Sequence, residues 1–331
     1  PRSFSIPGDD IKINILGTLN IIDNMLKYKI PRIIFASSFV IYGDKEGREV
    51  ISEEDECLPK SVYAGSKLAA EHLLKNYAQP NGIKWNALRM FNVYGPGQDI
   101  TKKDQGLVGI FMNMLLESNE VEVKGRLDRF RDLVYIDDVV AELVKVILGE
   151  VGSKESSSVQ PEYKVKVGDL ADQIKMFRES RDSLVTETVG SGFVRKLYST
   201  YLSYLSPKHF AYAIPSYGDE RGMFAEMLKT KDSGQFSFFT AKPGITRGGH
   251  YHHSKTEKFL VIQGEARFGF KHVALDTTHE ITTTSKELKI VETPPGWSHD
   301  ITNIGSEDMI VMLWANEIFD SDNPDTITHL V

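Results

Sequence analysis

The feature that most constrains this chain is a change of texture near residue 207. Before it, amphipathic stretches of helix length alternate with short apolar runs. Ile15, Leu19, Ile22 and Leu26 recur at helical spacing, so 10–28 reads as an amphipathic helix. Residues 32–36 read as a strand entered through Pro31, 64–77 as helix and 84–90 as strand, and 106–117, 138–148 and 165–182 as helices. Strands alternating with helices of this length predict βαβ units and a parallel sheet. After residue 207, the runs 235–240, 259–262, 266–270, 289–291 and 309–314 are short, rich in Phe, Val, Ile and Thr, and separated by turn residues. That pattern predicts an all-β sandwich or barrel. The expected organisation is an α/β domain over 1–205 and an all-β domain over 206–331, met through a tyrosine-rich connector at 197–205. The Gly/Ser/charge-rich stretch 149–162 reads as a surface loop or linker.

A length of 331 residues suits two domains. With 41% hydrophobic and 26% charged residues, disordered, collagen-like and coiled-coil chains are excluded. A net charge of −7 leaves no basic footprint for nucleic acid. No apolar run approaches the ~20 residues of a membrane span, and Pro1–Phe4 has no signal-peptide pattern. The single cysteine, Cys57, forbids an internal disulfide. A cytoplasmic protein without membrane or nucleic-acid partners is expected.

Tyr63 and Lys67 form a YxxxK pattern. On a helix the two lie on one face, and a nearby cation would lower the phenol pKa toward acid/base use. Ser38 closes the strand at 32–36, at the carboxyl edge where parallel sheets bind ligands. Two further motifs follow, Leu88 to Gly97 and Phe130 to Val139. Together these residues resemble the extended short-chain dehydrogenase/reductase family, the nucleotide-sugar epimerases and dehydratases, over residues 1 to about 205. The resemblance implies a Rossmann-like domain using NADP or NAD. In it Tyr63 would be the acid/base, Lys67 would orient the nicotinamide ribose, and Ser38 would hydrogen-bond the reacting oxygen. Asn92 and Arg131 would hold the substrate's diphosphate, and Asn14 would support the active-site end of its helix. The Gly-rich GxxGxxG turn with which that family holds pyrophosphate is not found in the 331 residues. The expectation is a partial Rossmann-like domain, lacking its first βαβ part, that binds NAD(P) poorly or not at all.

The all-β half carries a second constellation. On a strand, His250 and His252 share a face; Glu257 follows, and His299 comes just after a turn. Two or three imidazoles with a carboxylate suit a divalent transition metal. The stretches Gly244 to Gly264 and Pro294 to Asn303 resemble the two motifs of the cupin family, except that Leu288 stands where the second motif has glycine. The resemblance implies a double-stranded β-helix (jelly roll) with His250, His252, Glu257 and His299 as metal ligands. Zinc is the expected ion, with nickel, iron and manganese compatible with the same donors. His253 points to the other face and reads as a surface residue. Gly218 to Glu226 resembles the opening motif of cupin-fold 4-keto-sugar epimerases, in which Arg221 would contact a nucleotide diphosphate. The stretch from Arg247 to His250 resembles the segment that supplies the general base in those enzymes, so His250 has two competing roles, ligand and base.

The order of the two domains, with the connector between them, resembles the bifunctional CapF-type (WbjC-type) family of capsular polysaccharide enzymes. That resemblance implies C3 epimerisation of a UDP-4-keto-6-deoxy-acetamido-hexose in the cupin. NADPH-dependent reduction of the 4-ketone in the reductase domain would follow, toward UDP-N-acetyl-L-fucosamine, in a homodimer. Residues 38–63 and 88–100 look more like a UDP-sugar 4-epimerase. This leaves two alternatives: a 4-epimerase remnant fused to an active cupin, or a non-catalytic cupin that binds a sugar nucleotide.

Overall fold

The computed structural model describes residues 5–43, 51–102, 106–149, 156–157, 159–275 and 277–331. The expected loop at 149–162 lies largely outside the described residues. The chain divides into two compact units, 1–175 with 191–205, and 176–190 with 206–331.

In the first unit, α1 (Gly17–Lys27) is preceded by a short α turn, Pro7–Asp10, and a π turn, Ile11–Leu16. The single helix expected over 10–28 is therefore widened at its start, where the Gly17 N–H reaches back to the Lys12 carbonyl. The predicted apolar stripe faces the core: Ile22 is fully buried, and Ile15, Leu19 and Leu26 are half-buried. Strand β1 (Arg32–Ser38) pairs in parallel with β2 (Lys84–Met90). Helix α2 (Val62–Leu73) lies between them in sequence and starts where the Ser61 hydroxyl accepts from the Ala64 N–H at 3.1 Å. Ile22, Met25, Leu74, Ala78 and Ile83 form one core cluster. A buried side chain of this size contributes about 1.5–3 kcal/mol.

Strand β3 (Asn92–Tyr94), helix α3 (Leu107–Ser118), β4 (Phe130–Tyr135) and helix α4 (Ile136–Leu148) follow, then β5 (Ser156–Ser157), β6 (Tyr163–Lys166) and α5 (Val167–Ser183). The expected parallel sheet is present as two three-stranded sheets. One is parallel, in the order β1-β2-β5. The other, β3-β4-β6, is mixed, because β6 runs antiparallel to β4.

One boundary differs from the sequence reading. The two residues of β7 (Val185–Thr186) pair with Lys229 and Thr230, which draws 176–190 into the second unit rather than the first. The tyrosine-rich segment is a helix, α6 (Gly192–Ser203), belonging to the first unit. Leu197, Thr200 and Tyr201 recur at helical spacing and are its buried face. The Tyr204 hydroxyl then donates to the Gly95 and Gln98 carbonyls at 2.9 and 3.1 Å.

In the second unit β8 (Ser216–Asp219) hairpins onto β9 (Gly222–Thr230). The remaining strands are β10 (Gly234–Ala241), β11 (Thr246–Tyr251), β12 (Glu257–Gln263), β13 (Glu265–His272), β14 (Thr278–Thr284), β15 (Ile290–Thr293), β16 (Trp297–Asn303), β17 (Met309–Ala315) and β18 (Ile327–Thr328). One sheet runs β15-β12-β17-β10-β9-β7, with β8 also on β9, and the other β14-β13-β16-β11-β18. Apart from β7 on β9, every pairing is antiparallel. Alternate residues of both sheets point inward into one core, with Phe239, Phe259 and Val311 from one sheet and Phe268, Phe270 and Ile301 from the other. This is the two-sheet antiparallel arrangement that the cupin resemblance implied. Leu288, at the position of the motif glycine, adopts φ 48° and is 71% exposed. The turn keeps its left-handed geometry and a leucine carries the strain.

Candidate functional site

Two constellations are assembled, one in each unit. In the first, the carboxyl end of β1 presents Ser38 to the first turn of α2, and the Tyr63 phenol is hydrogen-bonded to the Ser38 side chain. Lys67, one turn on, donates to the Ala36 carbonyl at 2.9 Å, and its ammonium lies 5.8 Å from the centre of the Tyr63 ring. Asn14 sits on the π turn and donates to the Ser66 hydroxyl at 2.9 Å, and Ser66 donates in turn to the Tyr63 carbonyl at 2.8 Å. Asn14 thus braces the first turn of α2, where Tyr63 sits. The expected lowering of the phenol pKa by Lys67 does not occur. Burial pushes Tyr63 up, the Ser38 hydrogen bond offsets this only in part, and Asp10 adds to the rise. Burial pushes the Lys67 ammonium below the usual lysine range. The two hydroxyls and the ammonium, gathered at one strand end, fit the reacting end of a nicotinamide cofactor.

Asn92 and Arg131 are spent on backbone. Asn92 donates to the Asp132 carbonyl at 2.9 Å, linking β3 to β4, and Arg131 donates to its neighbour Phe130 at 2.8 Å. Behind Ser38 lies a network that sequence reasoning missed. Glu71, 3% exposed, pairs with Arg89 at 2.7 Å and accepts from the Ser37 hydroxyl at 2.5 Å. Arg89 also donates to the Tyr42 hydroxyl at 2.8 Å.

In the second unit β11, β12 and β16 bring His250, His252, Glu257 and His299 together, with their ligand atoms all within 4.8 Å of one another. His250 and His299 face each other directly across the β11–β16 pair. A bulge precedes them at Gly248, whose φ is +96° and where a Cβ would lie 2.8 Å from the His299 carbonyl oxygen. Glycine is required there by conformation and by space. Glu257 Oε2 lies 3.2 Å from His252 Nε2 and 3.3 Å from His299 Nε2. Burial alone would raise Glu257. The two histidines and the Lys255 charge outweigh it and hold the carboxyl well below the usual carboxylate range. Burial, with repulsion from His299, pushes His250 down to about 4, so its imidazole is neutral at pH 7.

Three observations fit this set to a divalent cation. His299 Nε2 is buried and has no hydrogen-bond partner. His252 Nδ1 is committed to the main-chain carbonyl of Asp325, so a neutral ring turns the lone pair of Nε2 toward Glu257. A cation between them satisfies both. His252, Glu257 and His299 are buried, whereas His250 is only half-buried and lines two cavities. The larger cavity, of about 290 Å³, carries Lys255 and Glu226; the smaller, of about 160 Å³, carries Arg247 and His299. His253 is exposed, as expected. Arg221 is exposed on the β8–β9 turn and paired with Asp219 at 2.5 Å, and its hydrogen bonds hold that carboxylate down to about 2. Asp325 was invisible to sequence reasoning because it lies in an irregular segment without a motif.

Comparison with known proteins places these sites in context. Residues 1–158 match the NAD dependent epimerase/dehydratase family, and residues 217–327 match the polysaccharide biosynthesis C-terminal domain. A UDP-2-acetamido-2,6-beta-L-arabino-hexul-4-ose reductase of Pseudomonas aeruginosa is 50% identical over 264 residues, covering 80% of this chain and 70% of that protein. The crystal structure of the capsular polysaccharide assembling protein CapF from Staphylococcus aureus superposes with a TM-score of 0.78 at 33% identity, covering 94% of this chain and 80% of that one. The chain belongs to the CapF-type family. CapF-type proteins are nucleotide-sugar-modifying enzymes of polysaccharide biosynthesis, with a Rossmann-like domain of the nicotinamide-dependent epimerase class. A dTDP-L-rhamnose 4-epimerase of Burkholderia thailandensis, 27% identical, covers 44% of this CapF-type chain, while the chain covers 52% of it. No helix among the described residues is long and apolar enough to cross a membrane.

Proposed function

We propose that the chain is a bifunctional enzyme acting on a UDP-4-keto-6-deoxy-acetamido-hexose. Its cupin-type second unit inverts C3, and reduction of the 4-ketone with NADPH or NADH falls to the first unit, a role weakened by the GxxGxxG turn not being found in the 331 residues. The observation that carries the reading is the cluster of His250, His252, Glu257 and His299 beside a cavity that can hold a sugar. A 4-ketone acidifies the proton on C3, so a base and a stabiliser of the oxyanion suffice for inversion. His252, Glu257 and His299 would hold the metal, zinc first among the candidates, in a three-residue set. Bound there, the ion supplies positive charge that polarises a carbonyl. His250, half-buried and neutral, would take the C3 proton, and solvent would deliver one to the opposite face. A second reading, His250 as a fourth ligand, is favoured by its ligand nitrogen lying within the same 4.8 Å as the others.

In the first unit a nicotinamide cofactor would supply the hydride. Tyr63 would protonate the ketone oxygen, Ser38 would hold that oxygen, and Lys67 would steady the cofactor's ribose. Arg221 would contact the diphosphate in the second unit.

Incubation with the 4-keto-sugar nucleotide in heavy water tests the first half. Deuterium at C3 supports it, and binding without incorporation favours a non-catalytic sugar-nucleotide module instead. Metal analysis of His250→Asn separates ligand from base: full metal with no incorporation identifies the base, and lost metal identifies the ligand. NADPH oxidation by the wild-type chain and its loss in Tyr63→Phe test the reductase half.

A further inference from the structure

The larger cavity beside the histidine cluster contains a cation to which no role has been assigned. Lys255 is 8% exposed and lines that cavity together with His250 and Glu257. Its backbone N–H is fixed by the Asp325 carboxylate at 2.9 Å, so the residue is held in place from the main chain outward. An ammonium has three donors. Among the described residues this one has a single ion-pair contact, Glu257 Oε1 at 3.4 Å, and no side-chain hydrogen bond, with the Phe319 ring 5.8 Å away. A buried ammonium with unfilled donors is costly unless a ligand supplies an acceptor. Glu257 is also the carboxylate placed to meet the metal, which would leave still less of its charge for Lys255.

The rest of the cavity shows which acceptor. Glu226, Glu257 and Glu317 line it alongside Phe224, Leu313 and Phe319. With Glu257 given to the metal and Glu226 paired with Lys229 at 2.8 Å, little positive charge is left for a diphosphate, whereas a neutral sugar ring with a ketone fits beside the apolar side chains. Arg247 lies in the other cavity, with Arg221 acting on it electrostatically, so the positive charge suited to phosphate is on that side.

We propose that Lys255 is a catalytic residue that donates a hydrogen bond to the ketone oxygen of the substrate and stabilises the enolate formed during epimerisation. The proposal rests on the C3-epimerase reading above. In the step, the C3–H bond breaks and its proton passes to the base. The electron pair forms the C3=C4 double bond, and the carbonyl π pair moves to oxygen as an oxyanion held by the Lys255 N–H. The reverse shift, with solvent water in the open cavity delivering a proton to the other face of C3 and the base releasing its proton to solvent, completes the inversion. Lys255 keeps its protons throughout.

The test compares C3 deuterium incorporation in the full chain, loaded with zinc, for the wild type, Lys255→Met and Lys255→Arg, with metal content and melting temperature measured on each. The expected result is wild-type metal content in both variants. Incorporation should fall about 100-fold in Lys255→Met, in kcat rather than KM, as for loss of one oxyanion donor. It should recover at least in part in Lys255→Arg, which keeps the charge. Wild-type incorporation in Lys255→Met overturns the proposal alone. Lost metal or a collapsed melting transition in Lys255→Met, with Lys255→Arg folded, metal-loaded and equally inactive, also overturns it, because the residue then serves only Glu257. No incorporation by the wild-type enzyme overturns the epimerase reading itself, and is distinguished by that control.

Discussion

His252 Nδ1 is hydrogen-bonded to the main-chain carbonyl of Asp325, 73 residues further along the chain. The Asp325 carboxylate meanwhile accepts from the backbone N–H groups of His253, Ser254 and Lys255 at 2.8, 2.7 and 2.9 Å, and from the Ser254 hydroxyl at 2.9 Å. One residue thus fixes both the tautomer of a histidine proposed as a metal ligand and the turn that follows it. Partners of this kind typically change metal affinity 10–100-fold. Asp325→Ala keeps that carbonyl but frees the segment that carries it from residues 253–255, so zinc binding is expected to weaken by up to about that factor, measured by competition with a chelator. Unchanged affinity would show that the turn holds His252 without help.

Leu288→Gly should stabilise the second unit. The leucine holds φ 48° with 71% of its surface exposed, so its removal relieves strain and uncovers nothing. A left-handed non-glycine residue costs roughly 1–2 kcal/mol, partly offset by the backbone entropy of glycine. A rise in the melting temperature of this unit is the expected reading in calorimetry; a fall would show that the leucine makes a contact worth more than the strain.

Glu71→Ala should damage the first unit far more than a surface change. Glu71 and Arg89 side chains are only 4% and 12% exposed, and removing one partner of a buried pair costs about 3–5 kcal/mol. Urea unfolding followed by tyrosine and tryptophan fluorescence should show the loss in the first unit. Zinc content should stay at the wild-type level.

Glu162 gives a pH signature. Burial, then repulsion from Asp132, raises its carboxyl from 4.5 to about 7. Between those values the folded state holds a proton that the unfolded state releases, so this group's contribution to stability falls as pH rises through that window. The side chain is half-buried rather than enclosed, so screening cuts the effect to about 1 kcal/mol. Glu162→Gln should therefore raise the melting temperature at pH 8 and leave it unchanged near pH 4.5. Equal shifts at both pH values would rule the mechanism out.

What was legible in the sequence followed period and spacing. The strand at 84–90 is found over the same residues, and the histidine cluster was readable because His250 and His252 alternate at the end of one strand and the other two residues sit in short motifs. Other features needed three-dimensional partners. Asp325 acts through a carbonyl and through backbone N–H groups, which leave no trace in residue type. The tyrosine-rich helix was obscured because its apolar positions are mixed with serine and threonine; Thr200, 1% exposed, fills a core position. Asn92 and Arg131 matched a motif by type, and each also makes a backbone contact that no motif shows. The Tyr63 pKa moved opposite to the expectation because desolvation outweighs any attraction that spacing alone suggests.

The passage of residues 176–190 into the second unit, with 191–205 returning to the first, bears on any attempt to separate the two units by cloning. No single cut yields two whole products. A fragment begun at 206 leaves behind Val185 and Thr186, and with them the outer neighbours of Lys229 and Thr230. Their backbone groups would then be open to pairing with another copy, a route to aggregation. Insolubility of such a fragment would reflect the missing β-strand rather than an unstable sandwich, and a fragment begun at 176 carries its own edge.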